Sequence, residues 1–190
     1  MFEWRFWLIA SLWVIWEAYW IISARGLKRP TSSEPLSSRL PVIIGLALSI
    51  ALLLVPNWFG SFIGGDITQH DDLSYFGGLV IALAGMAIAF WARHTLGRNW
   101  SGRVTIKEDH ELVTAGPYRW VRHPIYTGAL LIVTGSALAL GRFGGLLSIA
   151  IMTTIFLHKI RMEERMLSEY FGNQYEEYRR RTDALIPSLW

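Results

Sequence analysis

The sequence contains no cysteine. That absence excludes disulfides, thiolate metal sites, a cysteine nucleophile and S-palmitoylation together. Text for cradling phosphate is missing as well: neither G-x-G-x-x-G nor G-x-x-x-x-G-K-[ST] occurs, and there is no H-E-x-x-H or G-x-S-x-G. A soluble Rossmann-type nucleotide site is therefore excluded. The five histidines, at 70, 94, 110, 123 and 158, show no metal-ligand spacing, so no metal is expected. Charge is sparse, at 17% of residues, and its gaps are informative. The stretch "GGDITQHDD" has no Lys or Arg, and the turn at 141–144 has only Arg142. There is no internal repeat and no low-complexity segment.

What is present is apolar text. The chain is 52% hydrophobic with ten tryptophans, and several runs approach the ~20 residues that cross a ~30 Å hydrocarbon core. An all-α integral membrane protein of about five spans is expected. Span one runs from about Trp4 to Ala24. It is Trp-rich, carries Glu17 and lacks a small-residue cleavage site, so it reads as a retained span rather than a signal peptide. Span two covers about Leu40 to Ile63, with Pro41 in its first turn and Pro56 predicting a kink or an early end. Span three covers about Leu73 to Ala92. Spans four and five are shorter, at about Ile125–Leu140 and Phe143–Ile160. Residues 1–92 thus form an N-terminal block of three spans. Residues 93–190 form a second region of polar loop, membrane hairpin and polar tail, helical at first, which is the candidate catalytic region if its polar motifs carry chemistry.

The loop after span one, the 93–123 segment and the tail hold most of the Lys and Arg. The positive-inside rule then puts the N-terminus outside and the C-terminus in the cytoplasm. Both large polar segments lie on that cytoplasmic side. "GRFGG" is too short to separate spans four and five, so they pair as a hairpin that returns the chain from His123 to Lys159. Gly78/Gly85 and Gly128/Gly135 each recur at a seven-residue interval, which puts each pair on one helix face. With Gly77, they read as close-packing positions. Trp4, Trp20, Trp58, Trp91, Trp100 and Trp120 fall near span ends, as in an interfacial aromatic belt.

Two polar stretches could carry chemistry. In "HELVTAGPYRWVRHPIYTG", Gly116 and Pro117 break any helix, and Pro124 suits the first turn of span four. Arg122 and His123 then stand at a helix N-terminus, which favours anions, and Tyr118 and Tyr126 offer ring faces and hydroxyls. An ordinary interfacial loop with basic and aromatic anchors would use similar residues. In "HKIRMEERMLSEYFGNQYEEYRRR", Lys159 and Glu163 are i,i+4 neighbours, while Glu163 and Glu164 point about a quarter-turn apart. Glu169, Glu176, Glu177 and Arg179 to Arg181 read as a solvated face.

Together, "LVTAGPYRWVRHPIYTG" and, one membrane hairpin later, "EERMLSEYFGNQYEEYRRRT" resemble the isoprenylcysteine carboxyl methyltransferase and phospholipid methyltransferase superfamily. The spaced pattern R-H-P-x-Y-x-G with a downstream E-E is matched by Arg122, His123, Pro124, Tyr126, Gly128, Glu163 and Glu164. "LGRNWS" at 96–101 is similar to text of bacterial members. The resemblance covers about residues 93–185, half the chain. It implies S-adenosyl-L-methionine as methyl donor, with S-adenosyl-L-homocysteine as product, held on the cytoplasmic side. The cofactor-contacting positions it implies are His110, Leu112, Val113, Tyr118, Arg122, His123, Pro124, Tyr126, Glu163 and Glu164. In that set Glu163 suits the donor's ammonium. His123 and the start of span four suit its carboxylate, and the 110–118 loop suits adenine.

The resemblance also implies a lipophilic acceptor from the bilayer, such as a prenylcysteine carboxylate, with membrane lipids but no nucleic acid or metal as partners. Family members place an Arg one helical turn before the Glu. Here that position is Lys159, with Arg161 nearby, and these two are the candidate catalytic residues that orient the acceptor. Lys lacks the bidentate fork of Arg, so carboxylate, amine and thiol acceptors stay open. Two other readings stay open as well. Sterol reductases, which use a nicotinamide cofactor, have a similar C-terminal region. A non-catalytic membrane protein could retain the motif.

Overall fold

The computed structural model describes residues 3–25, 36–54, 71–100 and 111–188. The sharpest helix start is written by Asp71, whose carboxylate accepts the Ser74 N–H at 2.6 Å and caps the free end of the helix. Six α-helices follow in order: α1 (Glu3–Ser23), α2 (Leu36–Leu54), α3 (Asp72–Leu96), α4 (Pro124–Leu140), α5 (Phe143–Phe171) and α6 (Asn173–Arg181). Single 3-10 turns lie at Gly97–Asn99 and Gly116–Arg119. Among the described residues there is no β-strand, only an isolated bridge between Val121 and Asp183.

The expected spans are present as helices. Of the five, α1, α3 and α5 are long and apolar enough to cross a membrane, whereas α2 and α4 are shorter apolar helices. Together they make an integral membrane protein. Helix α2 differs from expectation at its start. It begins at Leu36, so Pro41 stands inside the helix rather than in its first turn. Prolines inside membrane helices are tolerated where neighbouring groups satisfy the freed backbone. The expected extension to Ile63, Pro56 and Trp58 lie outside the described residues.

The α3–α4 contact is built on missing side chains. The two helices run antiparallel, with Gly78 against Gly135 and Gly85 against Gly128. A methyl added at Gly85 would meet the Gly128 carbonyl oxygen at 2.6 Å, and one at Gly78 would meet the Ala139 nitrogen at 2.6 Å. Ala82, Ala89 and Ala139 fill the rest of the seam and are buried. In lipid, which is as apolar as leucine, such close backbone approach is what holds helices together. Gly77 is the exception, since a methyl there would meet nothing within 4 Å; it faces away from the seam.

Helices α4 and α5 form the expected hairpin. Gly141 ends α4 at φ 62°, where only glycine is unstrained, and its N–H bonds the Ala137 carbonyl at 2.9 Å. Buried polar pairs fix the other helices against this unit. Trp13 donates to Ser136 across α1–α4 at 3.2 Å, and Ser49 meets the Ser148 hydroxyl across α2–α5 at 2.7 Å. Arg5 pairs with Asp72 at one end of α1. At the other end Arg93 donates to the Ser23 carbonyl and lies over the Trp100 ring. Helix α5 continues past its apolar part. Its 29 residues rise about 43 Å. Its apolar text ends by Ile160, and beyond this the helix carries Arg161, Glu163, Glu164, Arg165 and Glu169.

Candidate active site

A cavity of about 350 Å³ lies where the C-terminal ends of α1 and α3, the start of α4 and the later half of α5 converge. That volume is within the range of small-molecule sites. Its floor comes from α5, where Met152, Phe156, Lys159, Glu163 and Met166 all line it. Steps of three and four residues put these side chains on one helix face. One side is polar, with Glu111, Tyr118, Arg122, His123, Tyr126, Lys159 and Glu163. The other comes mainly from α1 and α2 and is largely apolar, with Trp13, Trp16, Leu46 and Ile50, though Glu17 also lines it.

The hairpin places the two polar motifs side by side. Tyr126 donates to Glu163 Oε1 at 2.5 Å and stacks on Phe156, ring centroids 4.7 Å apart. The His123 ring lies between two carboxylates, with Nδ1 3.5 Å from Glu163 and Nε2 3.3 Å from Glu164. Burial alone would lower the His123 pKa, but hydrogen bonds and charge from both glutamates outweigh it and raise it above the ordinary value. Burial pulls the Glu163 carboxyl upward, yet His123, Lys159 and Tyr126 hold it below the usual range. Glu164, similarly opposed by burial, is held at about 2 by His123 and Arg122. The His123 ring is thus clamped between two carboxylates, which favour its protonated form.

Arg122 has a different setting from His123. Its Nε meets Glu164 Oε1 at 2.7 Å, and its Nη1 donates to the carbonyls of Thr182 and, at 3.3 Å, Arg179. The guanidinium therefore ties the loop to α5 and the tail, although the side chain still borders the cavity. The tail reciprocates. Arg122 N–H donates to Asp183 O at 2.8 Å, His123 N–H to Ala184 O at 3.0 Å, and Thr127 Oγ1 to Leu185 O at 2.7 Å. Tyr178, its hydroxyl pKa pushed up by burial, donates to the Tyr118 carbonyl at 2.7 Å. Residues 178–185 form a strap that holds the 118–127 segment.

Of the sequence-derived positions, Leu112, Val113, Tyr118, Arg122, His123, Tyr126, Lys159 and Glu163 line the cavity. Pro124 is buried at the first turn of α4, and Glu164 is turned toward Arg122; neither is among the lining residues. Arg161 is exposed and does not border the cavity. His110 lies outside the described residues. Lys159 extends its Nζ to 5.7 Å from the Tyr126 ring centroid. The turn at Gly116 does more than interrupt a helix. It makes a 3-10 turn at φ 58°, and a methyl there would meet Thr95 Oγ1 of α3 at 2.8 Å.

Several lining residues were not read from sequence as part of the site. Trp13, Trp16, Glu17 and Trp20 share one face of α1, and Asn99 and Trp100 follow α3. The 13, 16, 17, 20 spacing is a helix-face signal, but it is hidden in a helix that is Trp-rich all round. Trp20 and Trp100 read as belt residues, yet they stack on each other at 5.2 Å and line the cavity. Trp4, Trp91 and Trp120 are exposed, as belt residues would be.

Comparison with known proteins points in one direction. A model of the isoprenylcysteine carboxyl methyltransferase (ICMT) family matches residues 78–169. A probable protein-S-isoprenylcysteine O-methyltransferase of Oryza sativa subsp. indica is 29% identical over 189 residues, covering 96% of each chain. The protein-S-isoprenylcysteine O-methyltransferase of Schizosaccharomyces pombe is 30% identical over 91% of this chain and 68% of its own. Methyltransferase A of the same name from Arabidopsis thaliana is 32% identical over 74% of this chain and 73% of its own. Among solved structures, a eukaryotic intramembrane Ras methyltransferase, ICMT, superposes with TM-score 0.61 at 27% identity. The match covers 78% of this chain and 53% of that one.

Proposed function

The chain belongs to the isoprenylcysteine carboxyl methyltransferase family, and on that premise we propose that it methylates the carboxylate of a lipophilic, prenylcysteine-like acceptor with S-adenosyl-L-methionine as donor. The observation that carries this reading is the two-sided cavity. Polar groups from α4 and α5, Glu163, His123, Tyr126 and Lys159, and a largely apolar set from α1 and α2, Trp13, Trp16, Leu46 and Ile50, line the same space. A polar donor and a lipophilic acceptor need such a pairing in one space.

The residues present fit the donor. Glu163, fixed by Tyr126 and His123, takes its ammonium. The N-terminus of α4 favours its carboxylate through the helix dipole. Leu112, Val113 and Tyr118 give adenine an apolar slot. Asn99 borders the cavity, and its Oδ1 is a buried acceptor without a donor among the described residues; an exocyclic amino group would satisfy it. When bound, the donor supplies an electrophilic methyl, whose bond to sulfur breaks as an acceptor oxygen bonds the carbon.

The chain's own task is alignment. A carboxylate is already the nucleophile, so no general base is needed, and catalysis rests on holding the acceptor in line. Lys159, which makes no hydrogen bond among the described residues, orients that carboxylate as a point charge. Arg122, His123 and Glu164 are positioning residues that fix Glu163 and the 118–127 segment. The polar end of the cavity and the strap lie on the cytoplasmic side, in line with the Lys and Arg distribution.

The test is transfer of a labelled methyl group by detergent-purified protein to prenylcysteine carboxylates, lipid amines and small thiols. A base-labile product from the carboxylates alone is expected. Labelled amine or thioether, with no ester, overturns the acceptor assignment.

A further inference from the structure

Thr127 stands one residue after Tyr126 in α4, yet the chemistry leaves it unused and it does not line the cavity. Its hydroxyl has one proton and two carbonyls in range, Leu185 at 2.7 Å and His123 at 3.3 Å. The shorter contact takes the proton, because the His123 carbonyl already accepts the Thr127 N–H at 3.1 Å. The side chain is therefore spent on the tail and not on its own helix. Tyr126, by contrast, lines the cavity and holds Glu163. One residue is about 100° around a helix. The tail thus grips α4 on one side while the helix presents Tyr126 to the site on another.

The wall between Trp120 and α4 is not helical, and its amides find acceptors in the tail: Arg122 N–H on Asp183 O and His123 N–H on Ala184 O. Pro124 has no N–H to give. The first turn of α4 therefore keeps the amides of Ile125 and Tyr126 without intrahelical partners, and both residues line the cavity. Ala184 and Leu185 are buried, but among the described residues none after Leu167 lines the cavity. The tail stands behind the wall and acts on the site only through it.

We propose that Thr127 is a positioning residue for the methyl donor. Its bond to the Leu185 carbonyl locks the tail behind the 118–127 segment. That lock sets the first turn of α4 where Tyr126 meets Glu163 and where the Ile125 and Tyr126 amides meet the donor's carboxylate. The inference rests on the donor site proposed above and adds a requirement to it: docking of the tail and binding of the donor are coupled. Coupling is reciprocal, so the donor tightens the tail's hold as the tail tightens the donor's.

The experiment uses the full chain in lipid nanodiscs. Thr127→Val keeps the side chain's shape and deletes the hydroxyl, whereas Thr127→Ser keeps the hydroxyl. Thr127→Val is expected to bind S-adenosylhomocysteine about tenfold more weakly, an ordinary size for coupling between sites. The donor KM should rise by the same factor, with the acceptor KM at saturating donor unchanged, and Thr127→Ser should restore parent values. A second measurement needs no variant. Amides of residues 182–185 in the parent should exchange hydrogen more slowly when S-adenosylhomocysteine is bound, although the tail does not border the cavity. Three results overturn the inference: parent affinity in a folded Thr127→Val protein, a Thr127→Ser loss as large as that of Thr127→Val, or tail exchange that S-adenosylhomocysteine does not change. A parent that binds no S-adenosylhomocysteine refutes the donor site itself, a different failure because it precedes any variant.

Discussion

Replacing Arg122 with Met removes the centre of the clamp beneath the cavity. Arg122 and Glu164 meet at 2.7 Å with side chains only 10% and 14% exposed. Breaking a buried pair by deleting one partner costs about 3–5 kcal/mol. The Thr182 and Arg179 carbonyls would lose a donor too, at about 1 kcal/mol or more each where water cannot replace it. Partial compensation remains, because Glu164 keeps His123 at 3.3 Å and Arg179 at 3.8 Å. We expect a net loss of about 4 kcal/mol. The Glu164 carboxyl is held at about 2 against an ordinary 4.5, with His123 and Arg122 together outweighing its burial. The assay is equilibrium unfolding in mixed micelles, followed by tryptophan fluorescence. Arg122→Met combined with Glu164→Met should be less destabilised than Arg122→Met alone, because no buried charge is left unpaired. An Arg122→Met protein within about 1 kcal/mol of the parent would refute the reasoning, as would a double variant that simply sums the two single losses.

Other outcomes follow from the same geometry. Gly128→Val forces apart a seam in which even a methyl would sit 2.8 Å from the Ala89 Cβ; unfolding measurements should record a loss of about 3 kcal/mol or more, whereas Gly77→Val should be near neutral. Lys159→Ala should raise the acceptor KM about tenfold while leaving S-adenosylhomocysteine affinity intact, and Lys159→Arg should restore it; a loss confined to cofactor affinity would reassign Lys159. The pH dependence has two limbs. The raised His123 pKa means its stabilisation is full below its unfolded value of about 6.5 and is lost as pH rises through the raised value. The lowered Glu164 pKa means its stabilisation is full above its ordinary value of 4.5 and is lost as pH falls toward 2. Melting curves across pH should therefore fall on both sides, and His123→Gln should flatten the alkaline limb.

Much of this arrangement is written locally and so can be read from sequence. The seven-residue glycine pairs place their seam because helix periodicity leaves no other face for them. The hairpin follows from a turn too short to separate its helices, and that alone brings Arg122 and His123 to Glu163 and Glu164. What could not be read depends on which face of a uniformly apolar helix turns inward. Helix α1 has tryptophans at 4, 7, 13, 16 and 20, and only packing distinguishes lipid-facing Trp4 and Trp7 from cavity-lining Trp13, Trp16 and Trp20. The strap was hidden for another reason. Its grip on the 118–127 segment is partly made by backbone groups of Asp183, Ala184 and Leu185, and backbone bonding leaves no residue pattern. Arg122 illustrates both limits. Its motif was visible, but its engagement with the tail carbonyls required the fold.

The central claim is that Glu163 anchors the methyl donor in this cavity. Isothermal calorimetry of detergent-purified protein with S-adenosylhomocysteine tests it most directly, comparing the parent with Glu163→Gln. The account predicts micromolar binding by the parent and, for the variant, affinity weaker by about thirtyfold, the worth of one charged hydrogen bond at about 2 kcal/mol. Unchanged affinity in a folded Glu163→Gln protein, or a parent that binds NADPH and not S-adenosylhomocysteine, would contradict it.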